Sequence, residues 1–127
     1  MPDVNRGARP LSPHMQVYRP QLTSISSILV RITGIATLGS ALLIVAWLFA
    51  AAASEPAFGA VDGILRSLPG QIILALATWA VFYHMLGRLR HVIWDLGYAL
   101  NVEANEKMAM VMVGAATILT ALVFVLF

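Results

Sequence analysis

The chain has 127 residues, of which 60% are hydrophobic and only 11% are charged, and it contains no cysteine. Because a water-soluble domain normally carries about 25% charged residues, this composition excludes a water-soluble globule. The lack of cysteine excludes disulfides, thiolate metal sites and cysteine-ligated iron–sulfur clusters in this chain. The 8 Lys and Arg residues are too scattered to form a nucleic-acid-binding stripe, so we expect no nucleic-acid partner.

Three long runs of the sequence carry no formal charge, and they are residues 32–54, 67–87 and 108–127. An α-helix rises about 1.5 Å per residue and the hydrocarbon core of a bilayer is about 30 Å thick, so each run can cross a membrane. We therefore predict an all-α membrane protein with three transmembrane helices in a single anchor domain, residues 1–127. The predicted spans are approximately residues 24–53, 67–92 and 106–127.

Residues 1–21 are predicted to be an irregular cytoplasmic segment. Four prolines disfavour a helix there, namely Pro2, Pro10, Pro13 and Pro20. The segment has neither the apolar core of a secretory signal peptide nor the Arg/Ser-rich amphipathic character of a mitochondrial leader. We therefore expect a multi-pass protein of a bacterial inner (plasma) membrane, surrounded by the lipid bilayer.

The distribution of Lys and Arg between the connecting segments predicts the orientation. Four lie in residues 1–31, one lies in the first loop and three lie in the second loop. By the positive-inside rule, the N-terminus and the second loop face the cytoplasm and the C-terminus faces the periplasm. In the first loop, residues 55–63 contain proline and glycine and predict a short turn-rich linker.

The cytoplasmic end of the first helix carries a polar stripe. At about 100° per residue, Ser27, Arg31 and Gly34 fall within an arc of about 60°, and Ser24 flanks them. A hydroxyl beside an arginine, with a glycine one turn deeper, would let a neutral polar head group approach the backbone. The pattern is also typical of a helix end with a cytoplasmic anchor and a small-residue packing face, so both interpretations stay open.

The second helix carries a matching stripe at the same membrane side. His84, Arg88, His91 and Asp95 are spaced i, i+4, i+7, i+11 and lie within an arc of about 60°, with Tyr98 close beside them. Ionisable side chains on one face are costly against lipid, so we expect this face to meet protein or a wet cavity. There Arg88 and Asp95 would help to neutralise one another.

His84 lies deepest in this stripe, within an otherwise apolar span. An intramembrane histidine is a functional candidate, either as a proton relay, as a hydrogen-bonding group between helices or as an axial haem ligand. Spacing alone leaves the ligand and the structural hydrogen bond equally supported. Arg90 lies off the stripe, and an interfacial charge that snorkels to water and fixes the helix end is as good an interpretation of it as a functional role.

Two parts of the chain resemble the two signatures of one known family. The first part is Arg9-Pro-Leu-Ser-Pro-His-Met-Gln-Val-Tyr18, followed by Ser27-Ile-Leu-Val-Arg31-Ile-Thr-Gly34. The second part is His84-Met-Leu-Gly-Arg-Leu-Arg90-His91-Val-Ile-Trp94-Asp95-Leu-Gly97-Tyr98. They resemble the cytochrome b556 subunits of succinate dehydrogenase, which are the larger of the two membrane anchors of respiratory complex II. The chain length and the three-span layout agree, so the resemblance covers nearly the whole chain.

The resemblance implies a helical bundle that is completed by a second, smaller anchor subunit. It also implies that a flavoprotein subunit and an iron–sulfur subunit dock on the cytoplasmic side, and that haem b lies between the two anchors. The chain would help to form the ubiquinone-reduction site, whereas succinate oxidation would take place in the flavoprotein. A purely structural, haem-free anchor of the same complex and a small self-associating proton-conducting protein are the open alternatives.

The resemblance also implies roles for individual residues. His84 matches the axial haem ligand, and Ser27 and Arg31 match positions at the quinone head group. The resemblance also places Arg31 near the haem propionates. His91 matches a residue that contacts either a propionate or the ligand histidine, and not the iron itself. Two candidates for proton supply to the quinone follow in the same motif, Asp95 and Tyr98.

The chain departs from the family pattern at two positions. The family usually has a histidine immediately before Arg31, where this chain has Val30. It also has a small residue four positions after the ligand histidine, where this chain has Arg88, with Gly87 one position earlier. Because Arg88 lies on the His84 stripe, we expect it to replace the missing histidine as a partner of a haem propionate. The alternative is that the haem site is altered or lost.

Overall fold

The computed structural model describes residues 14–126 and contains helices and no strand in that range. The helices are α1 (Leu22–Ala53), α2 (Glu55–Arg66), α3 (Leu68–Asp95) and α4 (Val102–Leu126). Helices α1, α3 and α4 are long and apolar enough to cross a membrane, which confirms the predicted all-α, three-span fold class. Residues 1–13, with the beginning of the first motif, lie outside the described residues, and the membrane limits inferred from the sequence stay predictions.

The prediction of a turn-rich linker in the first loop is wrong, because residues 55–66 form helix α2. The Ser54 hydroxyl caps the first turn of α2 by accepting a backbone hydrogen bond at 3.3 Å. Pro56 fits in this first turn, because backbone N–H groups there have no carbonyl partner within the helix. Near its end, Asp62 accepts a hydrogen bond from Arg66 one turn later. Trp47 of α1 also donates to Asp62, at 3.3 Å, and this contact holds α2 against α1.

Helix α3 packs against both α1 and α4, so it lies at the centre of the three spans. The core between them consists of Val30, Tyr83, Met112 and Ala116. A Cβ atom on Gly87 would lie 2.5 Å from Cγ2 of Val30, so the glycine lets α1 and α3 approach closely at this level. Val30, one of the two positions at which the chain departs from the family pattern, therefore packs against Gly87, the residue before the other departing position, Arg88.

Most large apolar side chains of the spans point outwards, as expected for helices that meet lipid or other helices. Ile35 is 76% exposed and Val125 is 81% exposed. Six hydroxyl groups on the spans donate to carbonyl oxygens of the preceding turn of their own helix. These hydroxyls are those of Thr33, Thr37, Ser40, Thr78, Thr117 and Thr120.

Helix α3 ends at Asp95 in a Schellman motif. Gly97 has a φ of 81°, its N–H donates to the carbonyl of Trp94 at 2.8 Å, and the N–H of Tyr98 donates to the carbonyl of Ile93 at 3.1 Å. Since a positive φ ends the helix, Tyr98 lies in the α3–α4 turn, and its side chain is 68% exposed. The prediction that Tyr98 continues the helical stripe is therefore wrong.

Candidate functional site

His84 lies in the contact between α1 and α3, with its imidazole hydrogen-bonded on both sides. Its Nδ1 lies 2.9 Å from the carbonyl oxygen of Val30, and its Nε2 lies 3.2 Å from Nε of Arg88. A carbonyl oxygen can only accept, so Nδ1 carries the proton and donates. Because Arg88 donates to Nε2, that nitrogen carries no proton and directs its lone pair at Arg88. The ring is therefore a neutral imidazole.

The close approach of His84 to α1 depends on Gly34. A Cβ atom at this position would lie 2.8 Å from Cε1 and 3.2 Å from Nδ1 of His84. Any side chain here would therefore displace the imidazole or separate the helices. The polar stripe of α1 thus contacts the polar stripe of α3 where Gly34 meets His84.

The other members of the α3 stripe do not form one cluster. His91 donates from Nδ1 to the carbonyl oxygen of Gly87 in its own helix, at 2.7 Å, and its ring lies edge-on to Trp94. Asp95 is exposed at the end of α3. Arg88 bonds to His84, and within residues 14–126 the ion pairs are Asp62–Arg66 and Glu103–Lys107. Arg88 and Asp95 form no direct ion pair in this range, and their mutual neutralisation stays a prediction.

An open pocket of about 470 Å³ lies between α1, α3 and the beginning of α4. Ser27 and Arg31 of α1 line it together with Arg90 and Trp94 of α3. The remaining lining residues are Gln21, Thr23, Ser24, Ile28, Val102 and Asn105. Two guanidinium groups and several neutral polar groups thus surround the pocket, and none of its lining residues is acidic. A second cavity of about 460 Å³, between α1, α2 and α3, contains none of the predicted site residues.

Arg90 is buried, with only 2% of its surface exposed. Its Nη1 donates to the hydroxyl of Ser26 at 2.9 Å, and that hydroxyl lies 3.0 Å from the hydroxyl of Tyr83. The guanidinium also lies over the ring of Trp94, 4.4 Å from its centroid. The interpretation of Arg90 as a snorkelling interfacial charge is therefore wrong, because its charge faces the contact between the helices.

Three buried polar atoms have no partner in the described part of the chain, and all three belong to residues that line the pocket. They are Nε of Arg90, Nε1 of Trp94 and Oδ1 of Asn105. Leaving a buried donor or acceptor unpaired costs about 1–3 kcal/mol, and more for a charged group. These atoms are covered by the surrounding protein, although their residues line the α3–α4 side of the pocket.

Comparison with known families matches residues 5–124 to the succinate dehydrogenase/fumarate reductase transmembrane subunit. The chain belongs to this family. It is 46% identical to the succinate dehydrogenase cytochrome b556 subunit of Paracoccus denitrificans over 100% of this chain and 98% of that protein. It is 31% identical to the b556 subunit of Rickettsia conorii, over 92% of this chain and 91% of that protein. It is 32% identical to the succinate dehydrogenase cytochrome b560 subunit of Reclinomonas americana, over 94% and 86% respectively.

These matches confirm the family resemblance that the two sequence motifs indicated. As a transmembrane subunit of this family, the chain belongs to an oxidoreductase complex. Its pocket includes Ser27 and Arg31, which the sequence singled out, and Arg90, for which the sequence left a functional role open. Sequence reasoning missed Trp94 of the pocket and Tyr83, which contacts Ser26 beside it. A signal for them exists in the sequence, because together with Arg90 they repeat the i, i+7, i+11 spacing of the His84 stripe one residue earlier. In this transmembrane subunit, Tyr83 and Arg90 of that second face are buried and bond to Ser26 of α1.

Proposed function

We propose that this transmembrane subunit is the haem b anchor of a succinate:ubiquinone oxidoreductase and that it forms part of the ubiquinone-reduction site. The relatives from Paracoccus denitrificans and Reclinomonas americana carry cytochrome b names, which supports a b-type haem in this chain. The observation that carries the proposal is the state of His84. Its Nδ1 donates to the Val30 carbonyl, and its Nε2 is the basic nitrogen.

His84 has the hydrogen bonding of a metal ligand. Histidines that bind metals usually donate their other ring N–H to a carbonyl or carboxylate, which fixes the tautomer and makes the ligating nitrogen more basic. His84 would bind the haem iron through Nε2, and the second, smaller anchor subunit would supply another ligand. When bound, haem b supplies a one-electron carrier inside the membrane. The close fit against Gly34 leaves the ring little freedom to rotate.

Arg88, Arg31 and His91 are the residues that would hold the haem propionates. Nε2 of His84 cannot bind iron and accept from Arg88 at once, so haem binding requires Arg88 to release this contact. Its guanidinium is then available to a carboxylate. Since Nδ1 of His91 already donates to a carbonyl oxygen, His91 would meet a propionate through Nε2–H of its protonated ring.

Ser27 and Arg31 would bind the ubiquinone head group in the pocket. Both side chains can donate to a quinone carbonyl oxygen, and Arg31 would stabilise the negative charge that develops on this oxygen as electrons arrive. No lining residue is acidic, so no carboxylate in the pocket opposes this charge. The dehydrogenation of succinate would take place in the flavoprotein subunit, and its electrons would arrive through the iron–sulfur subunit.

Asp95 and Tyr98 would supply protons, because the reduction of a quinone to a quinol consumes two protons. Both residues are exposed near the end of α3, close in the chain to Trp94 of the pocket wall. If Asp95 relays protons, Asp95→Asn slows ubiquinone reduction most at high pH, where protons are scarce. Glu55→Gln, which changes an exposed carboxylate at the start of α2, serves as the control. An unaltered pH profile in Asp95→Asn would remove Asp95 from this role.

The proposed complex lies in the bacterial inner membrane with the N-terminus in the cytoplasm. The flavoprotein and iron–sulfur subunits would dock at the cytoplasmic ends of α1 and α3, and the second anchor would cover apolar faces of the spans. The Lys and Arg distribution supports this orientation. Alkaline phosphatase, which is active only in the periplasm, is expected to be active when fused after the last residue. An inactive fusion would indicate the opposite orientation.

The deciding experiment compares His84→Leu with His14→Leu in the purified complex. His14 is exposed before α1, so its replacement removes an imidazole outside the spans. We expect His84→Leu to lose the reduced-minus-oxidised α band of haem b, and His14→Leu to keep it. An unchanged band in His84→Leu would assign the ligand to another residue. A wild-type complex that contains the soluble subunits without the band would indicate a haem-free anchor, and a colourless homo-oligomer would indicate a proton-conducting protein.

A further inference from the structure

The second cavity, of about 460 Å³, is a partly open groove at the end of the bundle away from the candidate functional site. Its walls consist mainly of apolar side chains of two membrane spans, among them Leu43 and Ile44 of α1 and Leu74 and Val81 of α3. Water finds few hydrogen-bonding partners in such a space, and an empty groove would deprive its walls of dispersion contacts. In a bilayer, an apolar molecule is therefore the occupant that this groove favours.

The hydroxyl groups along the groove are already bonded within their own helices. The hydroxyl of Ser40 donates to the carbonyl oxygen of Ala36 at 2.8 Å, and that of Thr78 donates to the carbonyl oxygen of Leu74 at 2.8 Å. A carbonyl group placed between these walls would lose its hydrogen bonds to water and gain no donor from either hydroxyl. A hydrocarbon chain meets no such cost.

The length of the groove matches one leaflet of a bilayer. Its lining on α3 extends from Gln71 to Val81, and ten residues of α-helix rise about 15 Å. The hydrocarbon core of a bilayer is about 30 Å thick, so the groove extends approximately to the midplane. It begins beside α2, which joins the ends of two spans and so lies at the membrane surface. In the proposed orientation this surface is periplasmic.

The charged side chains of the groove lie at its α2 end. Asp62 accepts hydrogen bonds from Trp47 and from Nε of Arg66, and these three residues all line the groove. The side chain of Arg66 is 78% exposed, and its two terminal nitrogens donate to no side chain within residues 14–126. The carboxylate of Asp62 is 21% exposed, so it is also within reach of a ligand. The pair therefore offers one positive and one negative group with no net charge.

We propose that this groove binds an acyl chain of a zwitterionic phospholipid of the periplasmic leaflet, with the headgroup at the Asp62–Arg66 pair. The terminal nitrogens of Arg66 donate to phosphate oxygens, and the carboxylate of Asp62 accepts from the ammonium of an ethanolamine headgroup. Trp47 lies where indole rings are enriched, between the hydrocarbon and the headgroups. An anionic headgroup lacks the ammonium, so it gains less from this pair. The inference is independent of haem and quinone binding, and only the name of the leaflet rests on the proposed orientation.

The test measures which phospholipids stay bound to the assembled complex. The complex is reconstituted into vesicles of phosphatidylethanolamine and phosphatidylglycerol in equal amounts, purified again in detergent, and its bound lipids are quantified by mass spectrometry. Leu74→Trp fills the groove. Leu76→Trp is the matched control, because Leu76 lies on the same helix, is 64% exposed and does not line the groove.

A second pair of variants tests the headgroup. Asp62→Asn removes the negative charge of the pair and leaves Arg66. Glu103→Gln is its control, because Glu103 forms an ion pair of the same spacing with Lys107, at the beginning of α4 and away from the groove. The two charge variants also do not add bulk to a span, so they test the proposal if the larger tryptophan disturbs assembly.

We expect Leu74→Trp to lose one bound phosphatidylethanolamine per complex relative to Leu76→Trp, with the same subunits present in both. Asp62→Asn should shift the retained lipid from phosphatidylethanolamine towards phosphatidylglycerol by up to about fivefold, the effect of one exposed ion pair. Glu103→Gln should keep the wild-type ratio.

Equal phospholipid content in Leu74→Trp and Leu76→Trp would overturn the proposal. Loss of ubiquinone in place of phospholipid from Leu74→Trp would also overturn it, because the groove would then hold an isoprenoid tail. Loss of the second anchor subunit from Leu74→Trp, with an unchanged lipid ratio in Asp62→Asn, would show that a helix of that subunit fills the groove. Equal retention of the two lipids by the wild type and by Asp62→Asn would contradict the assigned headgroup. None of these outcomes depends on the haem band, so the proposed function is tested separately.

Discussion

The imidazole of His84 on α3 donates a hydrogen bond of 2.9 Å to the backbone carbonyl of Val30 on α1. This bond joins two membrane spans and leaves the lone pair of the ring on Nε2. Its acceptor is a main-chain atom, so it does not depend on the identity of the side chain at position 30. The orientation of His84 is therefore compatible with valine at a position where the family usually has histidine.

Gly34→Ala tests how closely the His84 ring is held. The new Cβ would lie 2.8 Å from Cε1 of the imidazole, so the ring must move away from the Val30 carbonyl. Overpacking of this kind costs about 1–3 kcal/mol. We expect a weakened α band or a shifted midpoint potential in the purified complex. Gly39→Ala is the control, because a Cβ there meets nothing within 4 Å. Equal spectra for the two variants would show that the ring is not confined by α1.

Gly87→Ala tests the contact between α3 and α1. A Cβ at this position would press on Cγ2 of Val30, 2.5 Å away, and we expect a loss of about 1–3 kcal/mol in the stability of the helix pair. The measurement is the thermal inactivation midpoint of the complex in detergent. The double variant Val30→Ala/Gly87→Ala removes the methyl groups that collide and should regain part of the loss. Gly114→Ala, whose Cβ meets nothing within 4 Å, should leave the midpoint nearly unchanged. Without recovery in the double variant, the Val30–Gly87 contact is not the cause.

The three spans could be predicted from the sequence because their evidence is local. Length, apolar composition and the spacing of charges fix where a helix can cross a bilayer. Helix α2 was missed because the glycines and Pro56 of the loop suggested turns. Their effect is outweighed by the Ser54 cap and by contacts with α1, such as that between Trp47 and Asp62, which no local pattern contains.

The candidate site could be predicted only in part, for a related reason. The helical spacing placed Ser27 and Arg31 on one face of α1, and His84 and Arg88 on one face of α3. It could not show which face of α3 is buried, because that depends on the packing of α1 and α4 against it. The burial of Arg90, its bond to Ser26 and its stacking on Trp94 arise from this packing. Tyr98 was misplaced because Gly97 adopts a positive φ and ends the helix.

Arg88→Leu tests whether this side chain serves the haem. In the described chain Arg88 donates to Nε2 of His84, and the proposal requires it to turn to a propionate when the haem binds. Removing a positive charge near the haem favours the oxidised state, so we expect the midpoint potential to fall. The redox titration of the purified complex measures this change, and Arg66→Leu in α2 controls for the loss of an exposed arginine. If the haem content and midpoint potential of Arg88→Leu equal those of the control, Arg88 is not a propionate partner.

Asp62 links α2 to α1, and its ionisation should make this link sensitive to pH. The hydrogen bond from Arg66 lowers the pKa of Asp62 below the usual 3.8, against an opposing effect of desolvation, and the bond from Trp47 lowers it further. A carboxylate with a lowered pKa contributes stability that is complete above pH 3.8 and is lost as the pH falls through the folded-state pKa.

In Asp62→Asn this contribution is missing at every pH. We therefore expect the thermal inactivation midpoint of the wild-type complex to exceed that of Asp62→Asn at pH 6, and the difference to vanish towards pH 3. Because the Arg66 side chain is largely exposed, high salt should also reduce the difference. A difference that stays constant from pH 6 to pH 3 would show that the charge of Asp62 does not hold α2 in place.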